Sequence, residues 1–269
     1  MSISLELIKS LRERTGAGMG DCKSILEEAQ GDMEKAIELL RKKGIAKAAK
    51  RSDRETGEGL IKLATNSDQT IGFIYEINAE TDFVVRSDKF QEFAEKLMNF
   101  ITEKAPADLS ELMTLTFEKG TVKEDLEAFS SVMGEKLEIK KYEKVTATGA
   151  VGVYSHAGGR IGAVVALDTP NLSEVAREVA MQVAAANPRY ISVEDVDASE
   201  IEKEKDIYSE QLRKEGKTDE MIEKIMAGKI NKFYEEICLV KQEYIKDDSK
   251  KISQILNGAK VEKMVRIAL

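Results

Sequence analysis

The strongest constraint on this chain is an internal repeat in its middle. GEGLIKLATNSDQTIGFIYEIN runs from Gly57 to Asn78, and ATGAVGVYSHAGGRIGAVVAL runs from Ala147 to Leu167. Gly59 and Gly149 stand 149 − 59 = 90 residues apart, and the pairs Ile71-Gly72 and Ile161-Gly162 keep that offset. Each copy reads as strand, turn, apolar strand, connection and helix, and similarity at a fixed period signals a repeated unit. The first helix carries Phe90, Phe93 and Leu97. The second carries Leu172, Val175, Val179 and Val183, with Asn171-x-x-Glu174 as its expected capping box and an end before Pro188. A hairpin with one apolar face has to cover it, and the helix that follows is the nearest cover. Two similar α+β subdomains are therefore expected.

Before the repeat, residues 4 to about 43 hold three helical patterns. Leu5, Ile8 and Leu11, with Leu7 beside them, mark the first, and Gly16, Gly18 and Gly20 are expected to break it. Ile25, Leu26 and Ala29 mark the second. Gly31 suits its C-terminal end and Asp32 the cap of a third helix carrying Ala36, Ile37 and Leu40. So small a bundle has little core and suits docking better than catalysis. Residues 41–54 then hold seven basic residues and one acid, Asp53. A solvated helix end and linker accounts for that run, and contact with an acidic partner or RNA is the alternative. After the repeat, Ser199-x-x-Glu202 is expected to cap a helix with Ile201, Tyr208 and Leu212. Gly216 turns the chain, and Thr218 can cap a return helix with Ile222, Met226, Ile230 and Phe233. That hairpin, about 199–236, is either a partner-binding or dimerising arm or a pair packed on the core. DSKKISQILNGAK reads as helical and KMVRIAL as a last strand.

Composition narrows the function classes. Net charge is 41 − 49 = −8, against general nucleic-acid binding, because neutralised phosphate supplies that affinity. No apolar run approaches the ~18 residues of a membrane span. Cys22 and Cys238 lack metal-ligand spacing, and two lone thiols suit a reducing cytoplasm. His156 is the only histidine, which disfavours a histidine triad or a multi-histidine metal site. Neither GxxxxGK[ST] nor GxGxxG occurs, so a binding protein without cofactor or metal is expected in place of an enzyme.

One connection stands out. NAETDFVVRS, residues 78–87, places Asp82 beside Phe83 and Val84 where turn chemistry is expected. Taken alone, Phe83 suits a core residue turned inward, and Asp82 a turn residue or cap. By the same standard Met19 is a packing residue, Arg12 a solvated helix charge and His156 a hydrogen-bonded turn histidine.

LRERTGAGMGDCK, residues 11–23, and NAETDFVVRSDKF, residues 78–90, resemble the two signature segments of the elongation factor Ts family. HAGGRIGAVV, residues 156–165, resembles a segment of that family's second core subdomain. The resemblance implies an α+β protein with a ubiquitin-associated-like three-helix head at 1–55, which includes the basic linker. Two similar core subdomains would follow at 56–140 and 141–269, the second with an inserted helical coiled-coil hairpin. It implies a guanine-nucleotide exchange factor, cytoplasmic, whose partner is elongation factor Tu. Thr81, Asp82, Phe83 and Val84 would approach the partner's nucleotide and magnesium site, with Phe83 as a wedge. Arg12 and Met19 would dock the head, and His156 would contact another domain of the partner. Ala79 stands where cysteine is common in the family, and Gly20 where some relatives carry a larger residue, which would thin the docking surface. Some relatives continue beyond the last core strand into a C-terminal helix, and its absence would remove one contact. A homodimer or a heterotetramer with elongation factor Tu is left open. So is an adaptor that binds a partner without speeding nucleotide release.

Overall fold

A computed structural model describes the backbone of residues 3–49, 51 and 53–269. Side chains are described for 3–44, 51 and 53–269, so of the basic run Lys47 and Lys50 lie outside them. The head is α1 (Leu5–Thr15), α2 (Met19–Glu28) and α3 (Met33–Ala49). Ser4 caps α1 by accepting the Leu7 N–H at 3.2 Å, and Gly16 ends it at φ 69. Gly31, at φ 84, bonds back to Leu26 O at 2.8 Å, and Asp32 Oδ1 accepts Lys35 N–H at 3.0 Å. Ile8, Leu11, Cys22, Ile25, Leu26, Ala29 and Ala36 make the head's core. Leu5 does not join them: it is exposed, because the 100° step of the helix that buries Ile8 and Leu11 turns Leu5 to the rim. Gly20 breaks nothing, since Gly18 takes the N-cap and Gly20 lies in the first turn of α2.

The core follows as β1 (Glu58–Thr65), β2 (Ile71–Ala79), α4 (Asp82–Val85), α5 (Asp88–Lys104), α6 (Leu109–Thr114), α7 (Val122–Met133) and β3 (Leu137–Thr146). It continues as β4 (Ala150–His156), β5 (Ile161–Leu167), α8 (Ser173–Ala186), α9 (Ala198–Lys214) and α10 (Asp219–Ile237). The last elements are β6 (Glu243–Tyr244), β7 (Asp247–Lys251), α11 (Ile252–Ile255) and β8 (Val261–Ala268). β2 and β5 begin at Ile71 and Ile161, the paired positions of the repeat. Each hairpin gains a third strand from later in the chain, giving sheets of order β1-β2-β3 and β4-β5-β8. The chain divides into two compact units, one of residues 1–62, 75–144 and 269, the other of 63–74 and 145–268.

In the first unit α5 buries Phe90, Phe93, Ala94, Leu97, Met98 and Ile101, a stripe at helical spacing. The Tyr75 hydroxyl donates to Ala94 O at 2.6 Å and ties β2 to that helix, and burial drives the phenol's pKa well up. α7 starts with the reciprocal Thr121–Glu124 capping box and packs on α3 of the head. There Arg41 meets Glu124 at 2.5 Å, and the Ser131 hydroxyl donates to Gly44 O at 2.7 Å. The described members of the basic run are thus engaged at home: Lys42 with Glu38, Lys43 with Asp21, Arg51 with Ser130 O and Arg54 with Glu80.

In the second unit α8 covers the β4–β5 hairpin, with Val179, Ala180 and Val183 against Ala163, Val165 and Leu167. Gly152 allows that approach, because a Cβ there would lie 2.1 Å from Arg177 N. α9 and α10 form the expected helical hairpin, turned at Gly216 with φ 78 and packed through Ile201, Ile230, Phe233 and Ile237.

Several local expectations differ from the structure, and at α9 the reason is competition between neighbouring polar groups for one free backbone amide. Leu172, not Asn171, occupies the N-cap of α8 and makes no side-chain cap bond, while Asn171 takes φ 61. Asp197 displaces Ser199 as cap of α9 by accepting the Ser199 N–H at 2.7 Å. Thr218 sits at the N-cap of α10 without a side-chain bond. In DSKKISQILNGAK only Ile252–Ile255 is helical, because Asp247–Lys251 pairs with β6 as a strand.

Candidate functional site

The connection after β2 is built from caps. Thr81 is extended at φ −128 and ψ 155, and its hydroxyl accepts the Val84 N–H at 3.4 Å, which starts α4. One turn later Ser87 donates through its hydroxyl to Val84 O at 2.7 Å and caps α5. Gln91 Nε2 donates to Val85 O at 2.7 Å. Two helix starts in close succession leave a single turn between them with no room to unwind.

That turn sorts its residues. Val84 and Val85 are each 9% exposed and anchor it from beneath. Phe83, on the opposite side, is 82% exposed, the highest of the exposed large hydrophobic side chains described. Leaving a phenylalanine in water forgoes roughly 1.5–3 kcal/mol of burial, so the turn places it there against the hydrophobic preference. Asp82 reaches Arg86 at 3.1 Å across one helical turn, an exposed ion pair of little worth to stability. Of the four residues expected to act together, Asp82 and Phe83 present surface, Thr81 is half-buried and holds the turn, and Val84 points inward.

The connection is also held from the loop between α7 and β3. Glu80 accepts the Lys136 N–H at 2.6 Å and the Arg54 guanidinium at 3.1 Å. Partial burial pushes the Glu80 carboxyl up, but the Lys136 amide and Arg54 outweigh it and hold it below its ordinary value. Glu135 accepts the Thr81 N–H at 3.0 Å and the Thr81 hydroxyl at 2.6 Å. Sequence reasoning missed Glu80, Glu135 and Lys136. The hydrogen bonds from residue 81 to residue 135 bridge chain positions that no local pattern links.

Arg12 and Met19 line one shallow depression of the same unit, with Lys9, Glu13, Gly16 and Lys89. Lys89 belongs to α5, the helix that the Phe83 turn leads into, so head patch and aromatic turn share a framework. His156 lies in the other unit, exposed at the end of β4, with the Tyr154 hydroxyl 3.3 Å from Nδ1.

Among the described residues no group of three or more His, Cys, Asp or Glu side chains is placed to hold a metal, and no helix is long and apolar enough to cross a membrane. Both cysteines are free and buried, and burial pushes the Cys238 thiol up to about 11.

Fold and site together define an α+β protein with a three-helix head and a core that presents one exposed aromatic on a capped turn. The family model described as Elongation factor TS matches residues 80–269. An elongation factor Ts from Nitratiruptor sp. is 43% identical over 267 residues, covering 96% of this chain and 88% of that protein. Those from Clostridium botulinum and Trichlorobacter lovleyi are 43% and 42% identical, covering 95% and 96% of this chain and 86% and 87% of theirs. The chain belongs to the elongation factor Ts family, whose place is in the elongation stage of protein biosynthesis.

Proposed function

We propose that this chain is a nucleotide exchange factor that binds GDP-loaded elongation factor Tu, disturbs the magnesium site there and promotes GDP release. Residues 1–55 dock through the Arg12–Met19 patch, residues 56–140 act on the nucleotide site, and residues 141–269 supply a second contact that includes His156. The observation that carries this reading is Phe83, 82% exposed on a turn held by the Thr81 and Ser87 caps and by the buried Val84 and Val85.

The physical logic is differential binding. Magnesium held among phosphate oxygens requires near-ideal octahedral geometry, so displacing side chains around it weakens the nucleotide. A wedge accelerates release only if it binds the nucleotide-free state more tightly than the loaded one. Linkage then requires that nucleotide binding expel the wedge in return. A rigid aromatic loses little rotamer freedom when it inserts, and the capped turn has already lost its own. Asp82 adds negative charge beside the wedge, held by Arg86 in the free protein.

Release of a fluorescent GDP analogue from elongation factor Tu, at fixed magnesium, tests this with the full chain and its Phe83→Ala variant. Strong acceleration that the variant largely loses is expected. Acceleration that survives the substitution would move the mechanism to the other contacts, and binding without acceleration would leave an adaptor.

A further inference from the structure

The turn that carries Phe83 is gripped by a carboxylate from a distant part of the chain. Glu135 follows Gly134, which ends α7 in the left-handed conformation at φ 79 and swings the next residue back toward β2. Its two oxygens take both donors of Thr81, Oε2 the backbone N–H at 3.0 Å and Oε1 the hydroxyl at 2.6 Å. An ionised carboxylate only accepts, so the Thr81 hydroxyl hydrogen must point at Glu135. Its lone pairs then face the Val84 N–H, 3.4 Å away, as the cap of α4 requires. Glu135 therefore holds the hydroxyl hydrogen away from the Val84 amide and leaves a Thr81 lone pair free for the bond that begins the helical turn bearing Phe83.

The grip has backing of its own. Glu135 O accepts the Ser130 hydroxyl at 2.5 Å. Next to it, the Lys136 N–H donates to Glu80 Oε1 at 2.6 Å, so two acids bind crosswise, each to the main chain beside the other. α7 also carries the head, through Arg41–Glu124 and Ser131–Gly44 O. One helix thus joins α3 of the head at one side to the grip on the aromatic turn just past its end.

We infer that Glu135 is the positioning residue of the Phe83 turn, acting through Thr81 and never itself touching the partner's nucleotide site. This rests on the reading of Phe83 given above. A group of that kind changes how well the wedge works once bound and leaves docking nearly alone.

The test measures GDP-analogue release from elongation factor Tu against concentration of the full chain, for the wild type, Phe83→Ala, Glu135→Gln, Thr81→Val, Thr81→Ser and the Glu135→Gln/Phe83→Ala double variant. Glu135→Gln keeps the shape but replaces one acceptor by a donor, so it cannot take the two Thr81 hydrogens on two separate oxygens. Its release rate at saturation should fall about tenfold while the half-saturating concentration changes less than about twofold. Thr81→Val should fall in the same direction, and Thr81→Ser, which keeps both donors, should restore the wild-type rate. The double variant should be no slower than Phe83→Ala alone, because a group acting only through Phe83 has nothing further to lose. Loss in Phe83→Ala with full rate in Glu135→Gln, or losses that multiply in the double variant, would overturn the inference alone. A fully active Phe83→Ala would overturn the reading of Phe83, and the inference with it.

Discussion

The two repeats follow the same course from strand to helix and differ in the connection. In the first, residues 80–87 insert a capped helical turn that lifts Phe83 into solvent. In the second, the shorter stretch 168–172 runs straight to α8, and Leu172 packs toward the core. Asp168 closes that stretch by accepting the Lys260 N–H at 2.9 Å and the Thr169 hydroxyl at 2.8 Å. Topology is thus shared, and the difference lies in how many backbone amides the connection leaves for side chains to cap. A framework settled by burial can keep its shape while a connection inside it is rebuilt to present one side chain.

The comparison breaks most severely at the framework. Gly152→Ala would place a Cβ 2.1 Å from the backbone of α8, and overpacking against main chain that cannot move should cost about 3 kcal/mol or prevent folding. A urea titration followed by circular dichroism reads this directly. Phe83→Ala should do the opposite. Its stability should stay within about 0.5 kcal/mol of wild type, since the side chain is exposed, while stimulated GDP release should drop on the order of a hundredfold. Equal unfolding midpoints together with unequal release rates would establish that division of labour. An unchanged release rate would abolish the distinction between the two connections.

Leu172→Ala sharpens the same contrast from the other side. It should destabilise the second unit by about 1–2 kcal/mol through lost packing, with release at saturation unaltered. A smaller effect is expected from acid. Glu80 and Asp168 are both held below their ordinary values. Glu80 owes this to the Lys136 amide and Arg54 acting against partial burial, and Asp168 to the Lys260 amide and the Thr169 hydroxyl. A carboxyl depressed in the folded state contributes stability that is present above the unfolded pKa of about 4 and is lost as pH falls through the folded one. Unfolding midpoints should therefore decline as pH drops below about 4, and Glu80→Gln or Asp168→Asn should each flatten that decline. Smallest of all, Arg86→Ala removes an exposed partner of Asp82 and should shift stability by less than about 0.5 kcal/mol.

Much of this was legible beforehand. The repeat marked both hairpins, and helical spacing marked α5, α8, α9 and α10, because burial on one face writes a period into the chain. Gly31 and Gly216 marked their turns because a residue without a Cβ takes positive φ at no steric cost. Residues 105–146 carry no comparable local signal, yet they hold α6, α7 and β3, and the loop between the last two braces the candidate site. Caps were less legible still. Asn171 and Ser199 had the right chemistry, but the choice among neighbours depends on which amide each chain direction leaves free.

The amino-acid sequence by itself determined the order of head and repeats, the helical hairpin, the family and the candidacy of Asp82 and Phe83. These follow from periodicity, glycine placement and contiguous motifs, all local quantities along the chain. Only the tertiary structure decided that Val84 turns inward while Phe83 turns out, and that Arg12 and Met19 share a surface with Lys89 of α5. It alone brought Glu135 to Thr81. The physical reason is that burial and hydrogen-bond pairing are properties of the packed chain, shared between residues far apart in sequence, and no single stretch contains both partners.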